Sequence, residues 1–301
     1  MNAPKLHHYV PQFYLRRFAA DDGRLCVWDK TNDRTFATRP KSVAAETDFY
    51  RLHEFERHGH DPLTMEKQLA DLEGQVSLVT DQWLAWITRA SPSAKIPIPK
   101  ENREILARYI ALQFLRTADA KDILCSLYEL NHPNEVLTAE TRTELHTTLL
   151  WDMNALEIIE RHIKDAIWIF GKNESKTPFW TSDNPVAFKT GNNKMWVKVG
   201  FISRGTYVVF PLSPTVVMYC HERDYWKKII EWDCIVSPVD FTDGMVRHEN
   251  YGQVFMATRF IVSPKNDFQS GREFLPSIGT NRYAPEHWEA GLPDPRFLLQ
   301  K

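Results

Sequence analysis

Residues 206–219 read TYVVFPLSPTVVMY, and this stretch decides the fold class. It contains two short runs of β-branched and aromatic residues separated by Pro-Leu-Ser-Pro, a composition typical of two strands with a turn between them. Similar runs occur at residues 179–181 and 195–199. We therefore predict a sheet in this part of the chain, with a helix over residues 242–256 and a strand over 259–262 completing its core.

The preceding part of the chain follows a helical period instead. After Asp61-Pro62, apolar residues recur at alternating spacings of four and three, which places them on one face of a helix. These residues are Met65, Leu69, Leu72, Val76, Val79, Trp83 and Trp86. The prolines within residues 92–99 end this pattern.

Two further helical patterns follow. The first begins near Glu101 and runs to Leu115, and its short proline-rich connection predicts an antiparallel pair with the preceding helix. The second begins after Thr138, a good N-cap residue, and continues to Ile167. At about 30 residues it is long enough to be broken once. The middle of the chain is therefore predicted to be all-helical.

The N-terminal residues predict an extended arm. Val10 precedes a proline and is biased toward extended backbone, whereas Pro11 suits the first turn of a short helix. Residues 25–28 and 35–38 are expected to pair as a hairpin. Because strands and helices do not alternate regularly, we predict an α+β fold with an N-terminal hairpin, a central helical bundle and a C-terminal, mostly antiparallel sheet.

The domain organisation is predicted to be a single large domain over residues 1–301. The patterns allow a subdivision into an extended and β-structured arm (1–60), a helical segment (61–170), a β-rich segment (171–275) and a tail (276–301). The tail is rich in proline, and we expect it to wrap the surface. No clean linker, internal repeat or low-complexity tract separates these parts.

Composition excludes several function classes. Lys plus Arg total 37 and Asp plus Glu total 39, so the chain lacks the overall positive charge of a protein held mainly by nucleic-acid phosphates. Only 12 glycines are present, and the motifs GxGxxG, GxxxxGK[ST], HExxH and GxSxG are absent. We therefore expect no nucleotide cofactor, while a divalent metal ion is left open.

Cysteine spacing and hydropathy indicate the compartment. The four cysteines are scattered, which favours free thiols in a reducing environment over zinc or disulfide sites. The N-terminal residues do not form a signal peptide, and no run of 18 apolar residues occurs. These observations predict a cytoplasmic protein without a membrane partner.

Three polar motifs stand out and carry a resemblance. They are HHYVPQFYL at residues 7–15, the Gln113/Arg116 pair, and TSDNP at residues 181–185. With the strand near Trp28, the FPLSP segment at residues 210–214 and the closing helix and strand, they resemble the bacterial family known as domain of unknown function 4238. That family has no established activity, so the resemblance implies where a site lies and not which chemistry it performs.

The N-terminal motif supplies candidate catalytic and substrate-binding groups. His7 and His8 precede a helix start, where neutral imidazole is favoured and can act as a base or a metal ligand. Adjacent extended residues face opposite sides, so at most one of the two faces the site, and we favour His8. Gln12 and Tyr14 are candidate substrate-binding residues. The structural alternative is that one histidine packs in the core and the other caps a turn.

The remaining candidates lie far along the chain. Gln113 and Arg116 lie on neighbouring turns of an inward helix face, so Arg116 either pairs with a structural carboxylate, such as Asp183, or clamps an anionic substrate. Asp183 is a candidate catalytic carboxylate and Asn184 a candidate ligand, although an Asx-turn explains Asp183 equally well.

These residues support two functional hypotheses. The first is a nuclease-like hydrolase of a phosphodiester or other anionic substrate, with nucleic acid as a candidate partner, in which His8, Asp183 and Arg116 act together. The second is a non-enzymatic sensor or regulatory binding protein in which the same residues form a buried polar network. Convergence of these three side chains in an open cleft would favour the hydrolase, and full burial would favour the binding protein.

Overall fold

A computed structural model describes residues 6–193, 196–198 and 204–278 of the chain. The strands are β1 (Leu6–His8), β2 (Leu25–Asp29), β3 (Arg34–Thr38), β4 (Ala45–Thr47), β5 (Ile167–Lys172), β6 (Thr181–Ser182), β7 (Ala187–Lys189), β8 (Trp196–Val197), β9 (Tyr207–Ser213), β10 (Val216–His221), β11 (Ile235–Val236) and β12 (Phe260–Ser263). The helices are α1 (Gln12–Arg16), α2 (His53–Arg57), α3 (Thr64–Arg89), α4 (Lys100–Leu115), α5 (Ala118–Asn131), α6 (Ala139–Trp151), α7 (Met153–Asp165), α8 (Asp243–Met256) and α9 (Gln269–Phe274).

The predicted α+β class is confirmed, with a helical middle and antiparallel sheets. Helix α3 confirms the first helical period, since Met65, Leu69, Val76 and Trp83 are buried along one face. The predicted stripe is wrong at its end, because Ile87 is buried there while Trp86 is 36% exposed. A helix period of 3.6 residues places position 87, four residues after Trp83, nearer that face than position 86.

The other helices differ from the sequence prediction in number and length. Thr138 caps α6 as expected, but the long pattern breaks at Asp152, whose carboxylate accepts the backbone N–H groups of Asn154 and Ala155 and so starts α7. The helical pattern was predicted to reach Ile167, which instead begins strand β5. Helix α5 was not predicted separately. Its N-cap is Thr117, whose hydroxyl accepts the backbone N–H of Ala120.

A six-stranded sheet has the order β11-β5-β10-β9-β7-β8. Among its described pairs only β11 and β5 run parallel, and β9 and β10 form the antiparallel hairpin that the sequence indicated. The strand predicted at residues 179–181 begins only at Thr181, and β7 was missed. Of the strand predicted at residues 195–199, the described part is β8, and residues 195 and 199 lie outside the described ranges.

A four-stranded antiparallel sheet has the order β3-β2-β12-β6, so the predicted N-terminal hairpin pairs with a C-terminal strand. The short strands β1 and β4 form a separate antiparallel pair. Buried apolar side chains from Tyr9 to Ile278 form one connected core. The single-domain interpretation and its four-part subdivision stay predictions, and most of the predicted surface-wrapping tail lies outside the described residues.

No helix in the described ranges combines the length and the apolar character that crossing a bilayer requires.

Candidate functional site

The two adjacent histidines of the N-terminal motif face opposite sides of β1. His7 is fully buried, its Nδ1 accepts the backbone N–H of Tyr50 at 2.9 Å, and its ring stacks on that of Tyr50. His8 is half-buried, and its Nε2 donates to the carbonyl oxygen of Lys41 at 3.2 Å. Strand alternation therefore places His7 in the core and His8 on the more accessible side.

The carbonyl oxygen of Tyr9 is the point at which the N-terminal motif joins helix α4. It accepts Nε2 of Gln113 at 2.9 Å and Nε of Arg116 at 3.0 Å. Gln113 and Arg116 are both essentially buried. The two polar residues that the sequence placed on an inward helix face thus hold the backbone of the motif.

Arg116 forms its ion pair with Glu73 of α3, through Nη1 and Oε1 at 2.9 Å. The suggestion that Asp183 is the structural partner of Arg116 is therefore wrong. The backbone carbonyl of Arg116 also accepts the hydroxyl of Tyr50 at 2.8 Å. The guanidinium is consequently fixed by α3 and the N-terminal motif together.

Three buried polar atoms on one face of α4 have no hydrogen-bond partner within the described ranges. They are the hydroxyl of Tyr109, Oε1 of Gln113 and Nη2 of Arg116. Spacings of four and three residues put these side chains on successive turns of the same face. The Arg116 charge also acts on the Tyr109 hydroxyl. We call these three residues the α4 polar face. Buried polar atoms normally have a partner, so this arrangement suits a small ligand or a buried water.

Glu73 and His8 lie at the more accessible border of the α4 polar face. The Glu73 side chain is 23% exposed, whereas that of Arg116 is 1% exposed. Both charges act on His8, and burial lowers the pKa of His8 below its usual value. The imidazole is therefore neutral at pH 7, and because Nε2 carries the proton that it donates to Lys41, Nδ1 presents a lone pair.

Asp183 binds backbone rather than another candidate residue. Its carboxylate accepts the N–H groups of Thr258, Arg259 and Phe260 at 2.7–2.9 Å and thereby holds the turn that enters β12. Burial raises the pKa of Asp183, while these bonds and the charge of Lys30 favour the ionised form. No hydrogen bond or ion pair described in the structure joins Asp183 to His8 or Arg116.

Asn184 belongs to a second buried polar cluster. Its Nδ2 donates to Oδ2 of Asp119 at 3.0 Å, and Oδ1 of Asp119 accepts Nζ of Lys198 at 2.7 Å. Asp119 lies in the first turn of α5, where the helix dipole favours a carboxylate. These contacts attach the TSDNP segment to α5, and no hydrogen bond described in the structure joins Asn184 to the α4 polar face.

Tyr14 connects the N-terminal motif to the TSDNP segment. Its hydroxyl donates to the carbonyl oxygen of Pro211 at 2.7 Å, so its oxygen accepts the hydroxyl of Thr181 at 2.8 Å. Gln12 is half-buried at the start of α1. The structure therefore brings His8, Gln113 and Arg116 together around the N-terminal motif. Tyr14 instead contacts Thr181 and Pro211, while Asp183 and Asn184 are held by residues 258–260 and by Asp119.

Sequence reasoning missed two members of this site. Glu73 lies four residues after Leu69 and three before Val76, so helical spacing places it on the apolar stripe of α3. An acidic residue on that stripe is the signal that could have identified Glu73 as a partner for a buried basic group. Tyr109 lies within the predicted helix from Glu101 to Leu115, and its ring packs near Phe13 and Phe210 as a core side chain would. No pattern in the sequence indicates that its hydroxyl belongs to a site.

Metal binding has no geometric support in the described part of the chain. No group of three or more His, Cys, Asp or Glu side chains there could hold a metal ion. The four cysteines carry no disulfide, and Cys26 is the least buried of them.

Comparison with known protein families gives a match that spans all the residues of the candidate site. A family described as "Protein of unknown function (DUF4238)" covers residues 6–267, and the chain belongs to this family. No curated protein matches the chain, and neither does any solved structure. Family membership therefore identifies relatives without assigning an activity.

Proposed function

We propose that this chain is a non-enzymatic regulatory binding protein whose ligand is a small protonated oxyanion, of which hydrogenphosphate is the simplest example. The observation that carries the proposal is the α4 polar face, with three buried and unpartnered hydrogen-bonding atoms on one helix face. Full burial of Gln113 and Arg116 favours a binding site over an open hydrolytic cleft.

The chemistry of the three atoms selects the ligand class. Nη2 of Arg116 can only donate, Oε1 of Gln113 can only accept, and the Tyr109 hydroxyl can do either. A ligand must therefore offer both an acceptor and an acidic proton. Hydrogenphosphate offers both near pH 7, whereas a phosphate monoester has mostly lost its second proton at that pH and sulfate offers acceptors alone.

Depth restricts the size of the ligand. The Arg116 side chain is 1% exposed, whereas its ion-pair partner Glu73 is 23% exposed and His8 is half-buried. A free or terminal phosphate can reach such a group, but the internal phosphodiester of a polymer would have to displace the N-terminal motif. The Glu73 carboxylate adds a second acceptor for the ligand proton.

Thermal unfolding with inorganic phosphate and with sulfate tests the proposal. A ligand that binds only the folded protein raises the free energy of unfolding by about 2.7 kcal/mol at 100 times its Kd. We expect phosphate to raise the Tm and sulfate at equal ionic strength to raise it much less. Equal shifts with both anions, or none with phosphate, would overturn the proposal.

Tyr109→Phe is the sharpest variant, because it removes the unpartnered hydroxyl and keeps the packed ring. We expect this variant to be as stable as the wild type without ligand and to bind phosphate about tenfold more weakly. Tyr225→Phe, at an exposed tyrosine, is the matched control. Unchanged phosphate affinity in Tyr109→Phe would remove the α4 polar face from the proposal.

The hydrolase is the second candidate, and the neutral, half-buried His8 next to Glu73 and Arg116 is the observation that favours it. Nδ1 of His8 would act as the base, and Glu73 would take the position that we expected Asp183 to fill, because Asp183 is occupied by three backbone N–H groups. Incubation with bis(p-nitrophenyl) phosphate, total RNA and plasmid DNA, with EDTA or with added Mg²⁺ and Mn²⁺, tests this candidate. Turnover that His8→Asn abolishes would establish it, and absence of turnover under all conditions would exclude it.

A further inference from the structure

We propose that a groove between α3, α4 and the α6–α7 junction binds a basic amphipathic helix of a partner protein. The groove has a volume of about 600 Å³ and lies within the described residues. It is separate from the α4 polar face, although both use α4. We call it the bundle groove.

The floor and one edge of the bundle groove are apolar. Leu69 and Leu72 of α3, Ile105 and Leu112 of α4, and Leu156 of α7 line it. Trp151 and Met153, at the α6–α7 junction, also line it and are 38% and 58% exposed. Adjacent exposed apolar side chains on a soluble protein mark a surface that another element covers.

The rim of the bundle groove is acidic. Asp71, Glu101, Glu104 and Glu160 line it, and the basic lining residue Arg108 is already paired with Glu160 at 2.9 Å. Asp71 and Glu101 have no ion-pair partner within the described ranges. This excess of carboxylates selects a partner with lysine or arginine beside its apolar face.

The shape of the bundle groove suits a helix. Its α4 side runs from Glu101 to Leu112, which is about 17 Å or three turns at the helical rise of 1.5 Å per residue. Helices α3, α4 and α7 already pack side by side around it. A further helix would complete a four-helix arrangement and insert apolar residues spaced by three and four into the groove, as helix-in-groove recognition does.

A fluorescent Leu/Lys peptide of about 14 residues, designed as an amphipathic helix, is the probe. We expect its fluorescence anisotropy to rise on addition of the full chain and the affinity to fall with added salt. Met153→Glu and the double variant Asp71→Lys/Glu101→Lys should each weaken binding at least about tenfold. Glu231→Lys, an exposed charge reversal outside the groove, is the matched control and should bind normally.

Three results would overturn the assignment. The first is equal binding of a Leu/Glu peptide or of a Leu/Lys peptide of the same composition with a scrambled, non-amphipathic order. The second is unchanged affinity in both groove variants, with their circular dichroism spectra confirming that they fold. The third is tighter binding of a peptide of residues 290–301, or self-association that the same variants abolish, because either would make this chain itself the occupant.

Discussion

His146 shows how a single buried residue can make stability depend on pH. Its Nε2 donates to the carbonyl oxygen of Leu115, the last residue of α4, at 2.9 Å, while its Nδ1 has no partner within the described residues. The ring packs against Phe49 and Tyr50. A second proton on Nδ1 would therefore be a buried and unsatisfied donor, and burial lowers the pKa of His146 to about 4.

We expect the His146→Gln variant to lose part of the acid sensitivity of the wild type. The pKa of the histidine is 6.5 when unfolded and about 4 when folded, so the unfolded chain binds more protons between these values. The stabilisation is fully present above pH 6.5 and is lost as the pH falls toward 4, by about 3 kcal/mol in total.

Urea unfolding at pH 7.5, 6.0 and 5.0 measures this contribution. The glutamine amide can still donate to Leu115 but does not titrate, so the difference in slope between variant and wild type isolates His146 from the carboxylates. Parallel pH profiles for the two proteins would contradict the prediction.

The sequence predicted which polar residues are buried better than it predicted their partners. Alternation along β1 placed His7 and His8 on opposite sides, and helical spacing placed Gln113 inward, because both are local properties of the chain. The partner of Arg116 is Glu73, and the partners of Asp183 are amides at residues 258–260. These pairs depend on how distant elements dock, which no local pattern specifies.

At the scale of elements, α3 buries its leucines to different depths. Leu69 and Leu72 both line the bundle groove, but Leu69 is only 4% exposed and belongs to the core, whereas Leu72 is partly buried. The sequence period alone treated the two leucines as equivalent. Truncation of a buried leucine to alanine costs roughly 2 to 5 kcal/mol, and the structure identifies Leu69 rather than Leu72 as the deeply buried one.

We therefore expect Leu69→Ala to lower the free energy of unfolding by roughly 2 to 5 kcal/mol and Leu72→Ala by about 1 kcal/mol. The reason is that truncation of Leu69 leaves a cavity among buried side chains, while Leu72 is already more exposed to solvent. Urea unfolding of both variants at pH 7.5 measures the difference. Equal costs would show that Leu72 is packed as deeply as Leu69.

Long elements were predictable and short ones were not. The helical periods of α3 and α4 extend over many residues, so a single misplaced position such as Trp86 did not hide them. Strands β6 and β7 have two and three residues, too few for a period-two pattern. They are strands because neighbouring strands supply hydrogen-bond partners, which the sequence does not reveal.

At the scale of the whole molecule, the N-terminal residues connect parts that lie far apart in sequence. Strand β12 pairs with β2 on one side and β6 on the other, so one sheet contains the first hairpin and the C-terminal part. The sequence predicted the hairpin but assigned it to an arm of its own. Pairing of distant strands is a property of the assembled fold, and Tyr14 is the residue through which it can be tested.

Tyr14→Phe should destabilise the whole chain and not only its N-terminal arm. The Tyr14 hydroxyl bonds both Thr181 of β6 and Pro211 of β9, which belong to the two large sheets, and its ring stacks on Phe210. Removing the hydroxyl leaves a buried carbonyl and a buried hydroxyl without this partner, at a cost of roughly 1 to 3 kcal/mol.

Urea unfolding followed by two signals tests whether this cost falls on the whole chain. Far-UV circular dichroism reports the helices, and fluorescence reports the 10 tryptophans. Because the Tyr14 bonds join both sheets to α1, we expect the two signals to follow one shared transition. Both signals should shift to lower urea by the same amount in the variant. Separate midpoints, or a shift in fluorescence alone, would instead mean that the helical segment unfolds independently and that the chain contains more than one cooperative unit.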